Sequence, residues 1–413
     1  MREWFLLLGL GLAWLQAAQA QPQAFVPVAS DVRYQLIDTW SVERFKQVLG
    51  PERAAFSGVQ VAFAVPRYAV KLYRVIHATT VPEQDNRPTE ISGLVAVPEG
   101  VATTMPVVSY QHGTIFGSTD VPSNPDRSME TRMMLAQFAA QGYVVVATDY
   151  IGKGVSKEPD SYMLKDSTQQ ACVDMLRASR HVLAALKVQT GPLFLSGWSQ
   201  GGWATMNCLR RLEAIGVKVT AAATASAPSD LHAAMQRWIY NPQPVDAVYL
   251  PAIAGMYFSA VENYHRLDGL VRSAVRPAYV DAVQALYAGT LAWEAFRART
   301  PPRMIDFLRE DFVAQGPGAQ SLGRQTTSPF WKLVEQSEAY RWRSRVPLHI
   351  YYGEHDEVTP VPIALLPQAY QSLIGGAPTE SFSAGARADH RATFIYSVSH
   401  QKAWFDSFVA NSR

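Results

Sequence analysis

The sequence predicts an α/β fold, a mostly parallel central sheet flanked by helices, with a helical cap inserted late in the chain. The first observation is a set of short, continuously apolar segments, among them 105–110 (MPVVSY), 143–148 (YVVVAT) and 348–352 (LHIYY). Such segments are typical of parallel strands that are buried on both faces. The second observation is that helix-like segments of 12–20 residues separate these strands, as parallel connections require. The third is one long interruption of the alternation, at 231–345.

The remaining elements follow from local signals. A short helix at 41–49 begins after Ser41, whose hydroxyl suits the N-cap position. Segments 68–80 and 90–97 alternate polar and apolar residues and are rich in β-branched side chains, which predicts two antiparallel strands at a sheet edge. The other predicted strands are 192–196, 219–226 and 379–383, and the other predicted helices are 129–141, 168–187, 203–214, 362–373 and 392–410.

The long interruption divides the chain into predicted parts. Residues 231–345 show helical patterns rich in Tyr, Trp, Phe and Ala, and Gly and Pro clusters break these patterns. Because the sheet pattern resumes afterwards, the segment is predicted to be a cap or lid inserted between two strands, and not a separate C-terminal domain. The core then has a first part at 21–230 and a second part at 346–413.

The first 20 residues predict a secretory signal peptide. Arg2 precedes an apolar block from Trp4 to Leu15, and the sequence Ala-Gln-Ala at 18–20 suits cleavage after Ala20. The block is too short to span a bilayer comfortably, although a retained membrane anchor is the alternative. We therefore expect a secreted or periplasmic protein.

Composition excludes several classes of function. The 413 residues are 48% hydrophobic and can bury a large core, while only 17% are charged and the net charge is +2. Such a charge balance produces no strong electrostatic field that would attract nucleic acid or an acidic partner. No motif for a metal or a cofactor is found, and the sequence does not indicate an oligomeric state.

The chemical features of the chain centre on one turn, Gly197-Trp198-Ser199-Gln200-Gly201. It follows an apolar strand and precedes a helix, which is the setting of a nucleophile elbow. The elbow strains the serine backbone, and glycines two positions before and after it, Gly197 and Gly201, remove the clashes that side chains would cause there. Ser199 is therefore the candidate nucleophile, and an ordinary glycine-rich turn is the alternative.

A nucleophilic serine needs a base and a carboxylate that orients the base. Asp356 follows the strand 348–352, and His390 lies in a loop before the last helix, so both are expected at the rim where Ser199 emerges. Glu354 and Glu357 are alternative acids. His349 and His400 are alternative bases, but the first lies within a buried strand and the second inside a helix. The run 354–357 (EHDE) cannot converge on one metal ion, because its residues are adjacent in a turn.

The negative charge that forms during such chemistry needs backbone N–H donors, an oxyanion hole. Gln200, directly after the nucleophile, is one predicted donor. The loop after the strand 105–110 carries His-Gly-Thr, and Thr114 is the preferred second donor, with Gly113 as the fallback. His112 is expected to fix this loop.

The two cysteines, Cys172 and Cys208, fall on predicted helices before and after the nucleophile strand. These helices should pack side by side on one face of the sheet, so a disulfide is geometrically allowed. Its formation fits an exported protein, and two buried free thiols are the alternative.

These motifs resemble the α/β-hydrolase superfamily, and the order Ser199, Asp356, His390 is the order in which that superfamily carries its triad. Within it, the segments SYQHGT at 109–114 and GWSQGG at 197–202 look most like the secreted lipase A-like esterases and lipases, which have a helical cap at the same point. The resemblance implies a serine hydrolase that acts on a small-molecule or lipid ester without a cofactor. It also allows transient contact of the cap with a lipid interface. A serine peptidase, an acyltransferase and a catalytically silent binding protein of this fold are the alternatives.

Overall fold

The computed structural model describes residues 24–101, 104–316 and 328–410. The signal peptide predicted for residues 1–20 lies outside these ranges. Within them, ten strands form one sheet in the order β1-β2-β3-β4-β6-β5-β7-β8-β9-β10. The strands are β1 (Val26–Ala29), β2 (Val32–Trp40), β3 (Val70–Val81), β4 (Arg87–Pro98), β5 (Met105–Gln111), β6 (Val144–Thr148), β7 (Thr190–Trp198), β8 (Ala221–Ala225), β9 (Leu348–Tyr352) and β10 (Thr379–Ser383).

The predicted α/β fold is confirmed. The six strands from β6 to β10 in the sheet order are parallel neighbours, whereas β1 to β4 pair antiparallel with one another and β4 pairs antiparallel with β6. The predicted antiparallel pair is β3 and β4, but it does not form the edge, because β2 and β1 extend the sheet beyond it. The sequence prediction missed β1 and β2, since β1 has only four residues and both strands are largely accessible to solvent.

Sixteen α-helices are assigned in the described residues. They are α1 (Val42–Gln47), α2 (Arg53–Phe56), α3 (Met129–Gln137), α4 (Lys165–Ala185), α5 (Gln200–Ala214), α6 (Leu231–Tyr240), α7 (Leu250–His265), α8 (Leu270–Ala274), α9 (Pro277–Tyr287), α10 (Trp293–Arg297), α11 (Met304–Phe307), α12 (Glu310–Gln315), α13 (Pro329–Gln336), α14 (Val361–Ala364), α15 (Leu366–Ile374) and α16 (His390–Ala410). Ser41 is the N-cap of α1, as predicted, and its hydroxyl accepts the backbone N–H of Arg44.

The apolar core is divided by the sheet into two clusters. Consecutive residues of one strand belong to opposite clusters: Val107 to the one that contains side chains of α4 and α5, and Val108 to the one that contains side chains of α3 and α16. Val144 and Val145 of β6 divide in the same way. This is why the central strands are apolar throughout, since both faces of each strand are covered by helices.

Helices α6 to α13 lie between β8 and β9, within the segment 231–345 that was predicted to be a cap. Their apolar side chains are continuous with the core cluster under α4 and α5. Within this segment, residues 277–298 form two helices, α9 and α10, because the chain turns at Gly289 with a φ of +71°. Along the described residues, no helix is long and apolar enough to cross a membrane.

The disulfide that the sequence allows between Cys172 and Cys208 is not formed in the structure, where both are buried free thiols. Helices α4 and α5 pack against each other as expected and bring the two side chains together. The hydrogen bond to Cys208 and burial raise the pKa of the Cys172 thiol. A protonated thiol is not the nucleophile that disulfide formation requires, and burial also keeps oxidants away.

Candidate active site

Ser199 lies at the sharp turn between β7 and α5. Its backbone has a φ of 58° and a ψ of −126°, a conformation that costs energy for any residue with a side chain. The turn is held from both sides: the Ser199 N–H donates to the carbonyl of Ala225 in β8, and the N–H groups of Gly202 and Trp203 donate to the Ser199 carbonyl. The helix begins at Gln200, three residues earlier than predicted, because Gly201 and Gly202 are part of its first turn.

The two glycines predicted for the elbow are required by close backbone approach. A side chain at Gly197 would overlap the carbonyl of Gly201, and a side chain at Gly201 would overlap the carbonyl of Gln111 in β5. The first turn of α5 therefore packs directly on the backbone of the two neighbouring strands. This packing fixes the height of Ser199 above the sheet.

The structure brings the three predicted triad residues together. The Oγ atom of Ser199 lies 2.8 Å from Nε2 of His390, and the Nδ1 atom of His390 lies 2.9 and 3.0 Å from the two carboxylate oxygens of Asp356. The side chains of His390 and Asp356 are only 5% and 2% exposed. Asp356 follows β9 and His390 is the first residue of α16, so both stand at the sheet rim where Ser199 emerges.

The charges of the site favour a basic imidazole. Burial alone would lower the pKa of His390, but the carboxylate of Asp356, with help from Glu357 and Glu130, raises that pKa above its ordinary value. Burial likewise disfavours ionised Asp356, but the charge and hydrogen bond of His390 hold the Asp356 pKa below its ordinary value. An ionised carboxylate beside the imidazole is the arrangement that stabilises an imidazolium.

His390 is held at both of its backbone polar atoms, and the sequence reasoning missed both partners. The indole Nε1–H of Trp198 donates to the His390 carbonyl at 3.0 Å, and the His390 N–H donates to the carboxylate of Glu357 at 2.9 Å. The Trp198 ring also lies 4.8 Å from the imidazole, centre to centre. In the sequence, the only signal for Trp198 and Glu357 is that they stand next to Ser199 and Asp356.

The alternative acids and bases lie elsewhere. Glu357 contacts the backbone of His390 and not its ring, and Glu354 accepts a hydrogen bond from the Ser383 hydroxyl at the surface. His400 lies 2.9 Å from the Tyr351 hydroxyl. His349 stacks on the ring of Trp404, with a centre-to-centre distance of 3.4 Å. Asp356 is further fixed by the N–H groups of residues 358 and 359, which donate to one carboxylate oxygen.

The two preferred oxyanion donors face the same space as the nucleophile. Thr114, Ser199 and Gln200 line one cavity, and in the described structure the backbone N–H groups of Thr114 and Gln200 have no hydrogen-bond acceptor. The fallback donor, Gly113, is not available, because its N–H donates to the buried carboxylate of Glu130 at 2.8 Å. The Thr114 hydroxyl lies 2.8 Å from the hydroxyl of Tyr162.

The loop that carries Thr114 is fixed by buried polar groups. The ring nitrogens of His112 lie 2.8 Å from the Gly113 carbonyl and 3.4 Å from the Asp149 carbonyl. Burial lowers the pKa of His112 to about 4, so the ring is neutral near pH 7. Asp149 accepts hydrogen bonds from the Ser92 hydroxyl and from the Ser123 N–H. Both residues hold loops at the strand ends, which for His112 is the predicted role.

The cavity above Ser199 is apolar and narrow. Its free volume is about 30 Å³, which is space for roughly one or two water molecules. Helices α6 and α7 form much of its wall. The lining residues are Thr114, Tyr162, Met163, Ser199, Gln200, Pro228, Leu231, Met235, Trp238, Ile253, Ala254, Tyr257 and Val358. Among the residues that the structure describes, no group of three or more His, Cys, Asp or Glu could hold a metal ion.

Solved structures share this fold. A Legionella pneumophila protein assigned as a hydrolase superposes with a TM-score of 0.78 at 22% identity, over 94% of this chain and 98% of its own. The rice cell wall degrading esterase LipA from Xanthomonas oryzae gives a TM-score of 0.75 at 20% identity, over 92% and 98%. Candida antarctica lipase A gives 0.59 at 15% identity, over 78% and 73%. At these identities the likeness demonstrates the fold.

Family membership rests on the sequence. The comparison with curated proteins found no match. The sequence model of the family described as serine aminopeptidase, S33, matches residues 127–373, which is more than half of the chain and includes Ser199 and Asp356. The fold agrees with that match, and the chain belongs to this family of α/β-hydrolases.

Proposed function

We propose that this hydrolase is a serine carboxylic ester hydrolase that acts through Ser199, His390 and Asp356. One observation carries the proposal: Ser199 Oγ is 2.8 Å from a buried imidazole, which is itself paired with a buried carboxylate. The same serine faces an apolar cavity with two unpaired backbone N–H groups. Nucleophile, base, orienting carboxylate and oxyanion donors together are sufficient for acyl transfer.

In the proposed mechanism each group has one role. Ser199 attacks the ester carbonyl while His390 Nε2 accepts its proton, and the Asp356 carboxylate stabilises the imidazolium that forms. The N–H groups of Gln200 and Thr114 donate to the oxyanion of the tetrahedral intermediate. His390 then donates its proton to the leaving alcohol, which yields an acyl-enzyme. Water then attacks the acyl carbon while His390 takes one of its protons. His390 returns that proton to Ser199 Oγ as the acyl–oxygen bond breaks, which releases the acid and restores the free enzyme.

The cavity wall favours an ester over an N-terminal peptide as substrate. An aminopeptidase must bind a cationic α-amino group, and a buried cation needs a carboxylate partner. The described residues that line the cavity include no Asp or Glu. Apolar side chains such as Leu231, Met235 and Ile253 instead suit the hydrocarbon part of an acyl chain. Because the free volume is small, acyl chains longer than a few carbons require movement of the cap.

The test is hydrolysis of p-nitrophenyl esters from acetate to palmitate by the purified mature protein and by Ser199→Ala. We expect wild-type activity to be highest on short chains, and the variant to lose at least about 10⁴-fold in kcat. A fluorophosphonate should label wild type once, at Ser199. Folded protein without ester hydrolysis on any chain length, or activity that persists in Ser199→Ala, would contradict the proposal.

The same preparation separates the alternatives. Release of p-nitroaniline from aminoacyl anilides without ester turnover would favour a peptidase, and preferential transfer to an added alcohol would favour an acyltransferase. A protein that neither turns over substrate nor reacts with the fluorophosphonate would be a silent binding protein. Activity that rises sharply on emulsified triglyceride would show that the cap contacts a lipid interface.

We also propose that the protein is exported, on the strength of its N-terminal sequence. The basic start, the apolar block and the Ala-Gln-Ala sequence before residue 21 are those of a cleavable signal. N-terminal sequencing of protein recovered from the periplasm or medium should begin at Gln21. Retention of the full N-terminus in a membrane fraction would support the anchor instead.

A further inference from the structure

A buried carboxylate stands behind the loop that carries Thr114. Glu130 lies in the first turn of α3 and is only 8% exposed. Its carboxylate accepts two hydrogen bonds, from the Gly113 N–H at 2.8 Å and from the Tyr110 hydroxyl at 2.8 Å. Burying such a group is costly unless it is well paired, and one of its two donors belongs to the candidate oxyanion loop.

The peptide unit between His112 and Gly113 is therefore held at both ends. The Tyr150 hydroxyl donates to the His112 carbonyl at 3.2 Å, and the Gly113 N–H on the other end of the same unit donates to Glu130. With both polar atoms bound, the unit cannot rotate without breaking a buried hydrogen bond. The next peptide unit carries the Thr114 N–H, which lies at the cavity without an acceptor, and its Gly113 carbonyl lies 2.8 Å from the His112 ring. Because the two units meet at Gly113, a rotation of the first would also displace the Thr114 N–H.

Packing supports the same arrangement. A side-chain carbon at Gly113 would lie 3.1 Å from a Glu130 oxygen and 3.2 Å from the ring of Trp198. Gly113 is thus enclosed between the carboxylate that binds its N–H and the indole that binds His390. The loop at 112–114, Glu130 and the indole of Trp198 therefore pack as one unit. A change in this loop would also move the Thr114 N–H beside Ser199.

We propose that Glu130 is a positioning residue for the oxyanion hole, which it preorganises by binding the Gly113 N–H so that the Thr114 N–H points at the reacting carbonyl. The inference rests on the proposed esterase function. Glu130 makes no contact with substrate and acts through the loop. A free loop could rotate the 112–113 peptide and turn a carbonyl towards the oxyanion, which would repel it.

The experiment compares Glu130→Gln with Glu130→Met. Gln keeps an oxygen that can accept from Gly113 and Tyr110, whereas Met has a similar length and no acceptor. On the preferred p-nitrophenyl ester we expect Glu130→Gln to retain kcat within about fivefold, and Glu130→Met to lose about 100-fold in kcat with KM changed less than about threefold. A loss of this size is typical when one oxyanion donor is removed, and a KM that holds shows that only the transition state is affected.

A transition-state readout separates this role from a merely structural one. A boronic acid with the same acyl group forms a tetrahedral adduct on Ser199 and should bind Glu130→Met about 100-fold more weakly than wild type. If Glu130→Met folds and keeps wild-type kcat and boronic acid affinity, the proposal is overturned. If Glu130→Met fails to fold, Glu130→Gln decides: a loss of more than about 100-fold there, with native thermal stability, would also overturn it. Fluorophosphonate labelling of wild-type Ser199 reports on the esterase proposal independently, so failure of one proposal is distinguishable from failure of the other.

Discussion

The nucleophile side and the histidine side of the site are built by different means. Ser199 is placed by backbone alone: its turn is fixed by main-chain hydrogen bonds and by glycines that pack on neighbouring strands. His390 is placed by side chains, the indole of Trp198 and the carboxylate of Glu357. The turn after β9 that contributes Glu357 is bound by the segment predicted to be a cap, through the indole of Trp238 and the N–H of Ala247.

This difference predicts how each side tolerates change. Where backbone packs directly on backbone, strands and helices cannot shift locally to make room. A single added methyl group should therefore reduce stability and activity strongly. His390 is held by more than one side-chain hydrogen bond, so the loss of one of them should reduce activity only in part. The following four substitutions test that contrast, starting from the largest expected effect.

The most severe change is expected from Gly201→Ala. In a helix interior, Ala is favoured over Gly by about 1 kcal/mol, but here the added carbon would overlap the Gln111 carbonyl. We expect a loss of about 3 kcal/mol in unfolding free energy and no measurable esterase activity. Urea unfolding and ester turnover measure both. The control is Gly58→Ala, an exposed site with no atom within 4 Å of the added carbon, which should behave as wild type. A fully active Gly201→Ala protein would contradict the backbone account.

The same contrast explains what could be predicted from the sequence. The elbow is contiguous, and its demand for Gly197 and Gly201 appears directly as a motif. Asp356 and His390 follow from chain order and from their places after strands. The supports of these residues leave no local pattern: Glu130 is 17 positions from Gly113 and belongs to an otherwise ordinary helix. Such partners are defined only when the fold brings distant segments into contact.

The strands of the sheet also divide into those that could be predicted from the sequence and those that could not. The central strands could be predicted because two covered faces demand continuous apolar sequence, as in 105–110 and 143–148. The outer strands β1 and β2 could not, because a solvated edge imposes no such demand and pairing with β3 decides their conformation. The free thiols of Cys172 and Cys208 depend on local protonation and burial, which the spacing of the cysteines does not record.

A smaller effect is expected from Trp198→Phe. The ring contact with His390 is kept in part, but the His390 carbonyl loses the hydrogen bond from the indole N–H. The loss of one hydrogen bond costs about 0.5–1.5 kcal/mol, and we expect kcat to fall about tenfold. Trp203→Phe is a matched control, because its indole N–H donates to the Ser337 carbonyl away from the triad. It should lose similar stability in urea unfolding but retain kcat. Equal losses of kcat in both variants would show that the hydrogen bond from Trp198 to the His390 carbonyl has no special role.

Glu357→Gln should alter the pH dependence more than the maximal rate. In the proposed mechanism the neutral imidazole of His390 is the base, so activity should be lost as pH falls through the His390 pKa. The carboxylates of Asp356, Glu357 and Glu130 raise that pKa above its ordinary value. The acid limb of kcat/KM in wild type should therefore lie above about pH 6.5.

Removing the Glu357 charge lowers the His390 pKa, so the acid limb should move to lower pH, while activity at pH 8 changes less than about threefold. The Gln oxygen can still accept the His390 N–H, which isolates the effect of charge. Glu354→Gln, whose carboxylate binds Ser383 at the surface, should leave the limb in place. An acid limb that moves upward in Glu357→Gln would refute this electrostatic assignment.

The smallest effect is expected from Tyr249→Phe, which tests how far the cap supports the histidine side. The Tyr249 hydroxyl lies 3.4 Å from the Glu357 carboxylate, at the long limit of a hydrogen bond. The indole of Trp238 and the N–H of Ala247 hold the same turn at 3.0 and 2.8 Å. Because these bonds remain, we expect kcat/KM at pH 8 to change less than about twofold. A loss above about tenfold with unchanged thermal stability would mean that the segment predicted to be a cap helps to align His390, through the contact of Tyr249 with Glu357.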